Sequence, residues 1–253
     1  MKNSRYFIFL TPVAVLLIFE FFVFKPDWLY WTFFAANALV LLTIFMLTRN
    51  TAPKWYWLNY AILPILFTTS LVGYATFLAN KFVIELLLVS NSFFLFIHFR
   101  QIYLYLRDFN AGKIYTLENV SAYGNFLVIF FSTSIIFGLQ SFLNAPVWLL
   151  ITSILPVYFL VLYHVFLNNN FNIKKSLVYI FIAELILVEI TWSISFLPLS
   201  FGIAGLILAI CYYVLIGLIR FYLKNSLNKN IIKLYLALAL SCIAIILLTS
   251  RWL

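Results

Sequence analysis

Long apolar runs alternate with short polar segments along the whole chain. Each run is about 20 residues long, the length that an α-helix needs to cross the hydrocarbon core of a bilayer. The runs lie at Tyr6–Phe24, Trp28–Leu47, Leu58–Leu78, Phe82–Leu104, Val120–Phe142, Pro146–Leu167, Leu177–Phe196, Gly202–Leu223 and Ile231–Ser250. They lack the alternation of apolar and polar residues that marks the strands of a membrane barrel. The pattern therefore predicts an all-α integral membrane protein with nine transmembrane helices.

The cationic residues between the runs predict how the chain is oriented. If the N-terminus is cytoplasmic, thirteen Lys and Arg residues fall on the cytoplasmic side and three fall outside. The cytoplasmic set is Lys2, Arg5, Arg49, Lys54, Arg100, Arg107, Lys113, Lys174, Lys175, Arg220, Lys224, Lys229 and Lys233, and the outer set is Lys25, Lys81 and Arg251. Cytoplasmic loops carry the excess of Lys and Arg in membrane proteins, and an even number of helices breaks this pattern. We therefore expect a cytoplasmic N-terminus and a C-terminus outside.

Two further features of the chain agree with this topology. Tryptophans fall near the predicted interfaces, with Trp28, Trp31, Trp148, Trp192 and Trp252 towards the outer side and Trp55 and Trp57 towards the inner side, as an aromatic belt requires. The first run lacks a small-x-small cleavage site, so we expect it to remain as a membrane helix. Residues 1–253 are predicted to form a single polytopic transmembrane domain with no soluble domain. The longest connection, Tyr105 to Asn119, is expected to be a solvated loop rather than an interfacial segment.

Composition excludes a water-soluble protein. Of the 253 residues, 66% are hydrophobic and 9% are charged, and the mean hydropathy is +1.09, so too few polar groups exist to cover a soluble core. The net charge of +9 would suggest nucleic acid in a soluble protein. Here the cations flank apolar runs, so we expect contacts with anionic membrane lipids and none with nucleic acid. Cys211 and Cys242 lie in apolar runs, and we expect neither a disulfide nor a metal there.

The seventh run carries two carboxylates inside the sequence AELILVEITWSISFLPLSFG. An ionised carboxylate at a helix centre costs about 2.5–3.5 kcal/mol on insertion scales, so such residues usually face protein or water. Glu184 and Glu189 project about 140° apart on a helix, which places them on different stripes. Both lie near the expected midplane, where the sequence offers no Lys or Arg. Without a cation, desolvation favours the neutral acid over the carboxylate.

These acids lead to two hypotheses for function. Other polar residues fall at similar depth: Asn37, Asn91, Ser132, Thr133, Ser134, Tyr212 and Ser241. In the first hypothesis Glu189 and Glu184, with Trp192, Asn37, Asn91 and Tyr212, line a midplane pocket or proton path for transport or handling of a small or lipidic ligand. In the second, the acids only bond neighbouring helices. The protein is then a membrane scaffold or assembly subunit whose partners are other membrane proteins.

Two histidines raise a third hypothesis, an intramembrane hydrolase. His98 and His164 lie towards the cytoplasmic ends of their runs at comparable depth, and two imidazoles are a possible start of a metal or haem site. Phe94-x-x-x-His98 and His164-x-x-x-Asn168 resemble short motifs of the CAAX-protease family. That family's Glu-Glu-x-x-x-Arg motif is absent, so the general base is missing. We therefore predict no catalytic residue, no cofactor and no metal, with the histidine pair as the alternative.

A wider resemblance covers most of the chain. Glu184-x4-Glu189-x2-Trp192, the segment from Ser195 to Pro198, Tyr213-x3-Gly217 and the terminal Trp252 resemble a family of uncharacterised polytopic membrane proteins. That family is a domain of unknown function from reduced-genome bacteria. The resemblance implies a multi-pass protein of the bacterial cytoplasmic membrane and implies no activity.

Overall fold

The computed structural model describes residues 4–49, 57–107, 111–169 and 173–249. Within these ranges the chain forms nine α-helices and one short 3₁₀ helix, Pro26–Trp28. The α-helices are α1 Ser4–Phe24, α2 Leu29–Thr48, α3 Trp57–Ala75, α4 Lys81–Arg107, α5 Ala111–Leu143, α6 Val147–Asn168, α7 Ile173–Ile194, α8 Phe201–Leu223 and α9 Lys229–Thr249. All of them are long and apolar enough to cross a membrane. The nine predicted runs are therefore confirmed as helices of the described chain.

The prediction that the connection from Tyr105 to Asn119 forms a loop was wrong. Helix α4 continues to Arg107 and α5 already begins at Ala111, so most of the segment is helical. Hydropathy marks only the apolar part of a helix, whereas backbone hydrogen bonding continues wherever helix-forming residues such as Leu106 and Leu117 follow. At 27 and 33 residues, α4 and α5 are about 40 and 50 Å long, and both extend beyond a core of about 30 Å.

Several residues of the predicted topology lie outside the described ranges. These are Lys2, Lys54, Trp55, Ser250, Arg251 and Trp252. The orientation of the termini stays a prediction from the charge pattern.

The described helices group into two compact units. The first unit takes in α1 to α4 and α5 as far as Val128. Within it α1 packs against both α2 and α4, and hydroxyl groups form hydrogen bonds between the packed helices. Thr11 and Thr43 share a 2.6 Å hydrogen bond between their hydroxyls, and Ser92 donates to the carbonyl of Pro12 at 2.8 Å.

The second unit contains α5 from Ile129 onward, α6 up to Phe166, and α7 to α9. Helices α8 and α5 approach closely at a glycine, since a Cβ at Gly205 of α8 would collide with the Ser134 hydroxyl and lie 3.0 Å from the Phe130 carbonyl of α5. The Thr133 hydroxyl donates most closely to Ile129 in its own helix at 2.7 Å and also approaches the carbonyl of Gly205 at 3.4 Å. Helix α9 packs on α8 and is the least buried of the described helices.

Candidate functional site

Helix α7 holds both acids close to the middle of its span. The apolar span runs from Ser176 to Ile194, 19 residues, which is about 28 Å at 1.5 Å per residue. By the same rise Glu184 lies about 2 Å from the midpoint and Glu189 about 6 Å from it, on the side of Ile194. Both acids thus lie in the middle part of the apolar span, and their depth in a membrane stays a prediction.

The two acids point to different surroundings. Glu184 is buried, with 8% of its surface exposed, whereas Glu189 is exposed. Glu189 belongs to an exposed row that we call the outer α7 stripe. The stripe consists of Val178, Phe181, Ile182, Leu185, Glu189 and Trp192. This spacing keeps the residues within an arc of about 100° on one face of the helix.

Glu184 projects about 140° away from Glu189, on the side of α7 that faces α6. It shares that face with Thr191, seven residues on. Thr191 is joined to Tyr158 of α6 by a buried 2.7 Å bond between their hydroxyls. The Thr191 proton goes to the carbonyl of Leu187 at 2.7 Å, so Tyr158 is the donor to Thr191. These hydroxyls are thus already paired with each other and with the backbone.

Neither carboxyl group has a partner among the described residues. Glu184 makes no hydrogen bond or ion pair with any of them. The hydroxyl of Ser193 donates to the backbone carbonyl of Glu189 at 2.8 Å and therefore does not bond the carboxyl group of Glu189. In the described part of the chain the acids therefore do not bond neighbouring helices, the arrangement on which the scaffold hypothesis depended.

The remaining predicted layer falls into two sets. Asn37 and Asn91 belong to the first unit. Asn37 donates to the carbonyl of Phe33 in its own helix at 3.0 Å, and the fully buried Asn91 accepts a 3.4 Å bond from Thr68 while its amide nitrogen lacks a partner there. Tyr212 is buried in the second unit, at 3% exposure. The structure therefore places Glu184 and Tyr212 in one unit and the two asparagines in the other.

The hydroxyl residues of the layer are mostly paired locally. Thr133 donates to the carbonyl of Ile129 at 2.7 Å, and Ser241 donates to Leu238 at 3.0 Å. Ser132 and Ser134 are buried, and the Ser134 hydroxyl has no partner among the described residues. The closest hydrogen bonds of Thr133 and Ser241 thus stay within their own helices.

Both histidines are buried rather than interfacial. His98 is 1% exposed on α4 and His164 is 2% exposed on α6, and they belong to different units. His98 stacks on Phe94 with ring centroids 5.7 Å apart. Its ring nitrogens have no hydrogen-bond partner in the described ranges, and the backbone of Tyr60 lies near but outside hydrogen-bonding geometry. Among the described residues, no group of three or more His, Cys, Asp or Glu side chains could hold a metal ion.

Sequence reasoning missed one polar residue of the first unit. Ser121 of α5 is 2% exposed, and its hydroxyl has no described partner. It lies one turn before Gly124, where a Cβ would meet the ring of Phe94 at 2.5 Å. The spacing of Ser121, Gly124 and Asn125 was the available signal, because small and polar residues three and four apart mark a helix face that packs closely.

Comparison with known proteins identifies the family. A family described as "Protein of unknown function (DUF5656)" matches residues 28–249. The chain belongs to the DUF5656 family. This membership confirms the resemblance to an uncharacterised family, and the DUF5656 match covers the α7 acids. No curated protein and no solved structure matches the chain. DUF5656 membership and nine apolar helices among the described residues together describe a multi-pass membrane protein of unassigned activity.

Proposed function

We propose that this protein handles a small or lipidic ligand within the membrane, through the carboxyl group of Glu184. The observation that carries the proposal is a buried acid without a protein partner. Glu184 is 8% exposed and about 2 Å from the middle of its span. An ionisable residue inside a membrane segment is expensive to place there and is a functional candidate for that reason.

The chemistry of the site follows from a carboxyl group without a cation beside it. No described Lys or Arg pairs with Glu184. A protonated carboxyl offers one O–H donor and keeps acceptor capacity. A buried polar group left without hydrogen bonds costs about 1–3 kcal/mol. A ligand hydroxyl, phosphate oxygen or water molecule that bonds Glu184 recovers this free energy.

The neighbouring hydroxyls support a ligand rather than an internal partner. Tyr158 and Thr191 lie on the same α6–α7 face, but Tyr158 already donates its proton to Thr191, and Thr191 donates its own to the carbonyl of Leu187. The ligand site that we propose therefore contains Glu184 and omits Glu189 and Trp192, which lie on the outer α7 stripe. The location in a bacterial cytoplasmic membrane and the orientation with the N-terminus inside are parts of the same proposal.

The test compares Glu184→Gln with Glu85→Gln. Gln keeps the size of the side chain but removes the titratable proton, and Glu85 is an exposed acid near the start of α4. The purified proteins are reconstituted into vesicles that enclose a pH-sensitive dye, and proton entry is followed after an imposed pH gradient. In parallel, native mass spectrometry records the lipids that stay bound after detergent extraction.

Wild type and Glu85→Gln are expected to behave alike, while Glu184→Gln loses proton entry or a bound lipid species. Thermal unfolding of each purified variant, followed by tryptophan fluorescence, verifies that the loss does not come from misfolding. Equal proton entry and identical bound lipids in all three proteins would overturn the proposal.

A further inference from the structure

The outer α7 stripe presents a carboxyl group in the middle of an exposed face whose other neighbours are apolar except for Ser193. From this juxtaposition we infer that the stripe docks a transmembrane helix of a different protein, and that this helix carries a Lys or Arg at the depth of Glu189. The inference concerns Glu189 and is independent of the ligand site at Glu184.

Glu189 cannot easily reach water from its position. It lies five residues before Ile194, the end of the span, which is about 8 Å. Side chains of a helix lean towards its N-terminus, so the carboxyl of Glu189 is directed towards the span centre rather than towards the nearer surface. Acids that fail to reach the interface normally face protein or a water-filled cavity. An exposed acid at this depth therefore implies a partner that covers it.

The surroundings of Glu189 favour protein over water as the cover. Leu185 lies one turn before it and Trp192 one turn after it, with 59% and 53% of their surfaces exposed. Trp192 packs edge-on against Phe196 at 5.7 Å between ring centroids. A helix seated on this face would bury apolar surface around the carboxyl and exclude water from it. Electrostatic attraction is stronger in such a low-dielectric setting.

Charge complementarity indicates a basic partner, and the described spans of this chain carry none at the required depth. The Lys and Arg residues within the described spans are Lys81, Arg100, Arg220, Lys229 and Lys233. Four of them lie within about four residues of a span end. Arg100, the deepest, is about 10 Å from the middle of its 26-residue span. It belongs to the C-terminal part of α4, which the alternating topology predicted from the charge pattern assigns to the membrane side opposite to Glu189.

A second copy of this chain in the same orientation would thus bring no cation to Glu189. Isologous contact across α7 would place two acids together, which is unfavourable unless they share a proton. A helix of another protein that carries a basic residue would both bury the apolar face and pair with the acid.

The experiment uses synthetic transmembrane peptides as the probe. Three Leu/Ala-rich helices differ only at the central residue, which is Lys, Gln or Leu. Each is labelled with a fluorescent acceptor and reconstituted with donor-labelled full-length protein in phosphatidylcholine vesicles. Energy transfer as a function of peptide density gives the relative affinity. Wild-type protein is expected to bind the Lys peptide about tenfold more tightly than the Leu peptide, a difference of about 1.4 kcal/mol.

Variants link the preference to the stripe. Glu189→Leu should abolish the preference for Lys, and Glu189→Lys should transfer it to a fourth peptide of the same design with a central Glu. Glu85→Leu is the matched control, since it removes an exposed acid near a helix end, and Glu184→Gln should also keep the preference. Because Glu189 is exposed, its replacement should leave thermal unfolding unchanged, which verifies that each variant is folded.

Three results would overturn the inference. Equal affinity for the Lys and Leu peptides would show that the acid does not select a basic helix. Retention of the preference in Glu189→Leu would place the contact elsewhere. Energy transfer between two labelled copies of the full-length protein that depends on Glu189 would identify a second copy as the occupant. Loss of ligand handling in Glu184→Gln with intact docking separates this inference from the proposed function.

Discussion

Helix α8 approaches α5 at Gly205 so closely that the smallest added side chain should destabilise the second unit. In Gly205→Ala the new Cβ collides with the Ser134 hydroxyl and lies 3.0 Å from both the Phe130 carbonyl oxygen and the Ser134 amide nitrogen. A side chain can rotate away, but backbone atoms cannot. The two helices must therefore separate locally, which also lengthens the 3.4 Å bond from Thr133 to Gly205.

The expected magnitude is the difference between two terms. Overpacking a close contact costs about 1–3 kcal/mol, and the upper end applies because backbone atoms are involved. Replacing Gly by Ala within a helix returns about 0.5–1 kcal/mol. The net loss for Gly205→Ala is therefore about 2 kcal/mol. For a chain of this size about 2–4 °C corresponds to each kcal/mol, so the midpoint of thermal unfolding should fall by roughly 4–8 °C.

Thermal unfolding in a single detergent, followed by tryptophan fluorescence, measures this shift. The double variant Gly205→Ala with Ser134→Gly should recover only part of the loss, because removal of the hydroxyl leaves the two backbone contacts at 3.0 Å. Ser134→Gly alone is the control. Wild-type stability in Gly205→Ala would refute the close approach of α8 and α5 that the structure gives.

Three further predictions test other parts of the fold. Gly124→Ala should lower the midpoint of thermal unfolding more than Gly217→Ala. The Phe94 ring against Gly124 is held in a stack with 3.9 Å between ring centroids, whereas the Tyr235 ring against Gly217 belongs to the little-buried α9. Thermal unfolding of both variants measures the order, and the reverse order would contradict the prediction. Tyr158→Phe and Thr191→Val should each destabilise the protein. A double-mutant cycle in detergent should give a coupling free energy of about 0.6–1.7 kcal/mol for the 2.7 Å bond between the two hydroxyls. Zero coupling would mean that this bond contributes nothing to stability. Reporter fusions at the two ends of the chain should be active on opposite sides of the membrane, as the charge pattern predicts, and activity on the same side would exclude an odd number of crossings.

The two acids of α7 show how position in the fold changes the role of one residue type. Glu184 and Glu189 are five residues apart in one apolar helix. Packing against α6 turns Glu184 into the unpartnered group of a proposed ligand site. The same packing leaves Glu189 on the outer α7 stripe, where its chemistry suits recognition of another helix. The sequence-based hypothesis placed both acids in one pocket, whereas our two proposals give each acid a site of its own.

Helix number and class followed from the sequence alone, because a bilayer demands about 20 apolar residues per crossing whatever the helix packs against. The position of Glu184 and Glu189 along the apolar span followed as well, since the rise per residue is constant. The ends of α4 and α5 did not follow, because polar residues continue a helix beyond the apolar core without changing its backbone.

The tertiary structure alone decided which face of each helix is buried. In a soluble protein, polar residues mark the outer face of a helix. In a membrane both the interior and the lipid are apolar, so Val178 on the outer stripe and Ile180 on the buried face carry the same kind of side chain. Hydrophobic patterning therefore could not tell Glu184 from Glu189. The distinction came from packing, through the contact of Thr191 with Tyr158 that turns one side of α7 towards α6.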